Sequence, residues 1–294
     1  MLSPRTLVLA SGICLLALAS LHAQPPGQPK PSRPASEPLA TKHVRGNLYQ
    51  VTGGVGNACF YVGPEEVLVV DAKMTAEAAR QMLAEIKKVA DKPVRRVLLT
   101  HSDGDHVNGL AGFPSGLTII SHANSRQHMV QANATATAKT SLPNETFSQQ
   151  LSLYLGETEV QLLYFGPAHT NGDAVVYIPS EKAAIVGDLV FMGRDLLIHR
   201  QKGGSSFGLV SVLKSLRELD AELYLSGHSD PVDKQAIAAL IAQVEEKQAK
   251  VKALVAAGKQ LAEIKQAFAI GDPPAGRRWP SLVEIIYREL TEKK

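Results

Sequence analysis

Four side chains able to bind a metal fall within six positions, His101-Ser-Asp103-Gly-Asp105-His106, directly after the apolar run Val97-Leu-Leu99. On an extended strand, residues i and i+2 share a face, so His101 and Asp103 can converge. Gly104 lets the chain turn sharply, which can aim Asp105 and His106 at a neighbouring point. Zinc accepts His nitrogen and Asp oxygen at about 2.0–2.2 Å, and catalytic sites keep a position open. Taken alone, this segment also reads as an ordinary polar loop. Three further segments shift the balance: Gly166-Pro-Ala-His169-Thr-Asn-Gly-Asp173, Ile185-Val-Gly-Asp188 and Leu225-Ser-Gly-His228. Each sets a His or Asp just past an apolar run, beside a glycine. In α/β sheets such strand ends gather at one edge, where sites are built. A lone strand-end His is more often structural, but four separate strand ends with ligand-type residues point to a metal centre.

The elements needed to position these residues are legible in the pattern. Residues 48–52, 58–62 and 67–70 read as strands separated by Gly turns, and Gly53-Gly-Val-Gly56 reads as a hairpin turn, not a phosphate loop. Met82, Leu83, Ile86 and Val89 recur at helical spacing, which predicts a helix from Thr75 to Ala90 with Thr75 as N-cap. Strands are expected at 94–99, 117–120, 151–155, 160–165, 174–178, 183–186 and 222–225, and helices at 123–131 and 207–219. Residues 133–148 read as a polar surface loop. The stretch from Val232 to Leu290 is helical, broken at Gly258 and at 271–280. Strands alternating with helices in two halves imply a layered α/β fold. The C-terminal helices are amphipathic and can pack on the domain or on a second subunit of a homo-oligomer.

The four-part pattern resembles that of the metallo-β-lactamase-fold hydrolase superfamily, from about Thr41 to Pro231. The resemblance implies an αββα sandwich with a C-terminal helical extension and two metals at one edge. By position, one metal would take His101, Asp103 and His169, and the other Asp105, His106 and His228, with Asp188 bridging. Asp105 would also act in catalysis. The family's first motif is His-x-His-x-Asp-His, so Asp103 stands where a second His is expected. A carboxylate is a harder, charged ligand. The expectation is therefore two zinc ions, with manganese or iron as alternatives, and a single metal on the Asp105 side as the rival arrangement. Asp71 and Asp173 are candidates for orienting the ligand histidines, or for capping a helix or turn. His199 sits in a loop expected to overhang the site. It is a candidate substrate contact, with an exposed surface His as the plainer reading. His122 and His128 flank a helix and read as structural or solvated. Cys59, in an apolar strand, reads as a buried inert thiol.

Such a centre implies hydrolysis: metal-bound water is deprotonated near neutral pH and attacks an ester, lactone or amide bond, a β-lactam included, of a small molecule. The alternatives are an iron-dependent oxygenase acting on a sulfur substrate and a non-catalytic metal-binding protein. The 294 residues carry 31 Lys and Arg against 28 Asp and Glu, a net charge of +3 with no basic stripe, so no nucleic-acid partner is expected. Residues 1–23 read as a signal peptide, with the 13-residue apolar run Leu7–Ala19 too short to span a bilayer. The protein is therefore expected in the periplasm or outside the cell, with no stable membrane insertion. Residues 24–40 hold six Pro in 17 positions and read as a linker ahead of a domain at 41–231 and C-terminal helices at 232–294.

Overall fold

The computed structural model describes residues 38–271 and 279–292. The expected signal peptide, nearly all of the linker and most of the break at 271–280 lie outside the described residues. The first half runs β1 (Ala40–Arg45), β2 (Leu48–Thr52), β3 (Ala58–Val62), β4 (Val67–Val70), α1 (Ala76–Val89), β5 (Val94–Leu98), α2 (Gly104–Val107), β6 (Thr118–His122), α3 (Ala123–Thr135) and β7 (Glu145–Phe147). The second half runs β8 (Gln150–Leu155), β9 (Thr158–Leu163), β10 (Val175–Ile178), β11 (Ala183–Gly187), α4 (Ser206–Glu218), β12 (Leu223–Ser226), α5 (Lys234–Ala256), α6 (Leu261–Ala267) and α7 (Leu282–Thr291). One sheet has the order β1 to β7, and the other runs β12-β11-β10-β9-β8.

The sheets face each other, with helices outside both, as an αββα sandwich. Leu48, Leu68, Leu98 and Ile120 of the first sheet pack against Leu162, Val176, Ile185 and Leu225 of the second. On the outer face of the first sheet, Val67, Val69 and Val97 meet Met82 and Ile86 of α1 and Met129 of α3. β4 therefore buries both faces, which is why Val-Leu-Val-Val is apolar without alternation. On the second sheet, Val175, Ala184 and Tyr224 join Leu213 of α4, Ile237 and Ile241 of α5, and Ile285 and Ile286 of α7 in a single cluster. The C-terminal helices thus bury their apolar faces against the sandwich of their own chain.

Three details differ from expectation. β1 was not foreseen as a strand. Its exposed residues carry little alternation, and it forms because β2 offers an open edge from Ala40 opposite Thr52 onward. The strand thus takes in Ala40, the last residue of the expected linker. α3 runs on to Thr135, and β7 pairs parallel to β6 within the expected loop.

The β2–β3 turn is held by an unusual device. Lys73, in the left-handed region at φ 67°, is fully buried. Its Nζ donates to the carbonyls of Val51 (2.6 Å), Gly53 (3.1 Å) and Gly56 (2.8 Å), matching the three donors of an ammonium. Burial pushes its pKa down to about 8. The turn it fixes lies over the ligand loop, because a Cβ on Gly56 would sit 3.0 Å from the carbonyl oxygen of Asp105. Replacing Lys73 by Met should cost about 3 kcal/mol or more, because buried carbonyls lose their partner. Urea unfolding and amide exchange across residues 51–57 would measure this. An unchanged midpoint would show that the lysine does not hold the turn.

Candidate metal centre

The two sheets bring four chain segments to one edge. His101, Asp103, Asp105 and His106 follow β5, His169 lies on the β9–β10 connection, Asp188 follows β11 directly, and His228 follows β12. Backbone hydrogen bonds tie these strand ends together. Asn57 N donates to Gly227 O, Ala174 N to Thr100 O, Gly227 N to Gly187 O, and Ala72 N to His106 O. The seven expected ligands fall into two groups, His101, Asp103, His169 and Asp188, and then Asp105, His106 and His228. Within each group the ligand atoms lie within 4.8 Å of one another. Asp188 reaches across: its Oδ1 is 3.3 Å from His106 Nε2, and its Oδ2 is 3.3 Å from His228 Nε2 and 3.7 Å from His101 Nε2.

The inner atoms of this cluster fit a metal. The Nε2 atoms of His101, His106 and His169 and Oδ1 of Asp188 are buried with no hydrogen-bond partner. Folded proteins rarely leave such atoms unpaired, at about 1–3 kcal/mol each. The outer nitrogens are all engaged. His101 Nδ1 meets Thr100 Oγ1 at 3.0 Å, His106 Nδ1 meets Asp71 Oδ2 at 2.8 Å, and His169 Nδ1 meets Leu197 O at 2.7 Å. A ring whose Nδ1–H is held this way presents a free Nε2 lone pair, as ligand histidines do. Gly227 keeps the space open: a Cβ there would lie 2.3 Å from Asp188 Oδ1 and 2.8 Å from His106 Cε1.

The electrostatics are those of a cation site. Burial opposes the charged form of every group here, but mutual pairing outweighs it for most. The His106 ring is held well above its usual range by Asp188 and Asp71, and the Asp188 carboxyl well below by His106 and His101. Asp103 is likewise held far below the carboxylate range by the neighbouring His169 ring and the hydrogen bond from His199. His169 rises to about 9 through Asp103 and Asp188, whereas burial and the neighbouring His106 push His101 down to about 3. Metal ligation requires neutral imidazoles, so a divalent cation would displace these protons and load better as pH rises.

The residues proposed for supporting roles divide. Asp71, buried at φ 66°, accepts from Thr100 N and Thr100 Oγ1, both at 2.8 Å, as well as facing His106. Asp71 is thus placed to orient the His106 ring. Asp173 does not touch a ligand ring. It accepts from Thr170 N and Thr170 Oγ1 and closes the turn after His169, which is the capping role. Burial raises its pKa to about 6. The surface reading of His199 is corrected. The ring is buried, with Nε2 2.7 Å from Asp103 Oδ2, because His199 N bonds to His169 O and draws the loop inward. His122 is a buried N-cap of α3, accepting from Asn124 N. Sequence reasoning missed Lys202, whose Nζ is 2.7 Å from Asp103 Oδ1, and Thr100; a single loop lysine carries no motif. Substituting Asp71 by Asn would set an amide donor against the His106 Nδ1–H or Thr100 donors. Metal affinity should fall about 10–100-fold. Competition with a chromophoric chelator would measure this, and wild-type affinity would remove Asp71 from the centre.

Comparison with known proteins bears on the family. The chain is 28% identical over 194 residues to the 2,4-dinitroanisole O-demethylase subunit alpha of Nocardioides sp., covering 65% of this chain and 57% of that protein. It is 26% identical over 213 residues to Metallo-beta-lactamase type 2 of Elizabethkingia meningoseptica, covering 70% of this chain and 82% of that one. Thus the chain spans little more than half of the demethylase subunit but most of the lactamase. Among solved structures, a metallo-beta-lactamase from Pontibacter korlensis superposes with a TM-score of 0.62 at 16% identity, over 71% of this chain and 99% of that one. A stereoselective inverting sec-alkylsulfatase from Pseudomonas sp. gives 0.73 at 16% identity, over 86% and 50%. These structural likenesses establish the fold. The sequence profile of the metallo-beta-lactamase superfamily matches residues 51–228, more than half of the chain, running from β2 to the last of the clustered histidines. On that match the chain belongs to the metallo-beta-lactamase superfamily.

Proposed function

We propose that the protein is a divalent-metal-dependent hydrolase that cleaves an ester, lactone or amide bond, a β-lactam included, in a small molecule. The observation that carries this reading is the set of four buried, unpartnered ligand atoms at the sandwich edge. His101, Asp103 and His169 would hold one metal and Asp105, His106 and His228 the other, with Asp188 reaching both. When bound, such metals polarise a carbonyl and lower the pKa of water toward neutrality.

The chain's own residues supply proton movement and access. The Asp105 side chain is 20% exposed, against 14% for Asp103 and 4% for Asp188, so Asp105 is the most accessible carboxylate of the centre. The Asp105 carboxylate can take a proton from the attacking water and return it to the leaving group through the oxygen that holds no metal. Beside His228 opens a cavity of about 610 Å³ lined by Thr52, Asn57, Met192 and Ser229. That volume suits a small molecule. Phe191, itself buried, stacks on the His228 ring, and Arg194 lies over Phe191. Among the described residues no helix is long and apolar enough to cross a membrane. Export to the periplasm or beyond rests on the sequence of residues 1–23.

The names of the relatives span ether, lactam and sulfate-ester chemistry, and fold alone does not choose among them. A panel of carboxylic esters, lactones, β-lactams, sulfate esters and aryl methyl ethers, run with elemental analysis, tests the reading. Hydrolysis with zinc or manganese supports it; iron with oxygen uptake would replace it with an oxygenase. Asp105→Asn should lower kcat about 100-fold or more at saturating metal. Full activity in that variant would sink the assignment of Asp105.

A further inference from the structure

Asp103 is the residue that departs from the family's motif, and it is also the most heavily engaged carboxylate of the centre. Both of its oxygens are already taken. Lys202 Nζ lies 2.7 Å from Oδ1, and His199 Nε2 lies 2.7 Å from Oδ2, with His169 Nε2 at 3.3 Å. The two donors belong to one short segment, His199 and the single helical turn Arg200–Lys202. That segment is itself fixed. His199 N donates to His169 O, Asn171 N to Lys202 O, and Gly204 N to His199 O. Gln201 Nε2 faces His199 Nδ1 at 3.0 Å, so the ring accepts there and carries its proton toward Asp103. Lys202 also reaches Ser102 Oγ at 3.1 Å.

The other metal position is built differently. His106 is backed by the Asp71 carboxylate at 2.8 Å, which makes its free nitrogen a stronger donor. Among the described residues, Asp105 is paired only with imidazoles, His228 at 3.1 Å and His106 at 3.7 Å. One position is therefore backed by an extra carboxylate, and the other is opposed by a lysine ammonium.

We propose that the turn bearing His199 and Lys202 holds Asp103 and offsets its charge, so that the His101/Asp103/His169 position is the weaker of the two metal positions and fills second. Lys202 is the positioning residue in this arrangement. It fixes the carboxylate that replaces a histidine and keeps that carboxylate from binding metal as a full anion. The inference rests on the two-metal reading of the centre. Position occupancy becomes a graded property: the Asp105 side stays loaded while the Asp103 side responds to metal supply.

The molecule carries its own reporter. The chain's single tryptophan, Trp279, lies edge-on to the His199 ring at 5.0 Å between centroids. Its emission therefore reads the Asp103 side. The test is titration of the chelator-stripped chain with Zn(II) by calorimetry and with Co(II) by Trp279 emission. Two steps are expected in the wild type, with the emission change in the second. In Lys202→Met the second step should tighten about tenfold or more while the first stays within about twofold, since a like charge near the cation is removed. Lys202→Arg, which keeps the charge, should behave as wild type. Lys202→Gln removes the charge but keeps a donor, and serves if the Met variant misfolds. A second step that is unchanged or weaker in both neutral variants overturns the proposal, as does a Trp279 change in the first step. A single step in the wild type that becomes two in the Met variant supports it; a single step in both overturns it together with the two-metal reading. Failure of the hydrolase reading looks different: two-step binding with no turnover on any substrate.

Discussion

Three carboxylates and four imidazoles converge at one buried edge of this protein, and much of the architecture answers to that constraint. Like charges this close cannot all ionise in a low-dielectric interior without cations between them. Asp188 is almost fully buried, and its nearest polar neighbours are His106, His228 and His101. The imidazoles balance part of the charge, and a divalent cation would balance the rest while pairing the orphaned nitrogens. The glycine at 227, the left-handed backbone at Asp71 and the carbonyl cage around Lys73 are local distortions that make room for the cluster or hold its surroundings.

The sandwich makes the convergence possible. β4, β5 and β6 run parallel in one sheet, as do β11 and β12 in the other, so their carboxyl ends open on the same side. The apolar interface between the sheets fixes their relative position, and the cross-links from Asn57 to Gly227 and from Ala174 to Thr100 lock the ends. The ligands thus sit on short connections between rigid strands, where a site keeps its geometry. α4, α5 and α7 cover the second sheet and close the core behind Asp188.

The two halves of the centre are not equivalent. One is backed by Asp71 through His106, and the other is drawn upon by Lys202 and His199 through Asp103. The superfamily hosts several chemistries on one fold, so such differences around the ligands, and not the fold, are where function is decided.

Much of this was legible in the chain itself. Local signals indicated a layered α/β chain, most strands within a residue or two, the Thr75 cap and the seven clustered side chains, because each of those side chains follows an apolar run and has a glycine within three residues, while the αββα arrangement came from the family resemblance. Asp71 was visible as a strand-end acid, but nothing local separated its role from that of Asp173. Only the folded chain shows that the first faces His106 while the second closes a turn on Thr170. β1 and β7 were missed because edge pairing is decided by the neighbouring strand and not by the strand's own pattern. His199 and Lys202 were misread or unseen for a related reason. Their meaning lies about a hundred residues away, at Asp103, and contacts of that range leave no period or spacing in the sequence. The sequence determined which groups could do chemistry; tertiary structure decided which of them face one another, since that depends on long-range packing of two sheets.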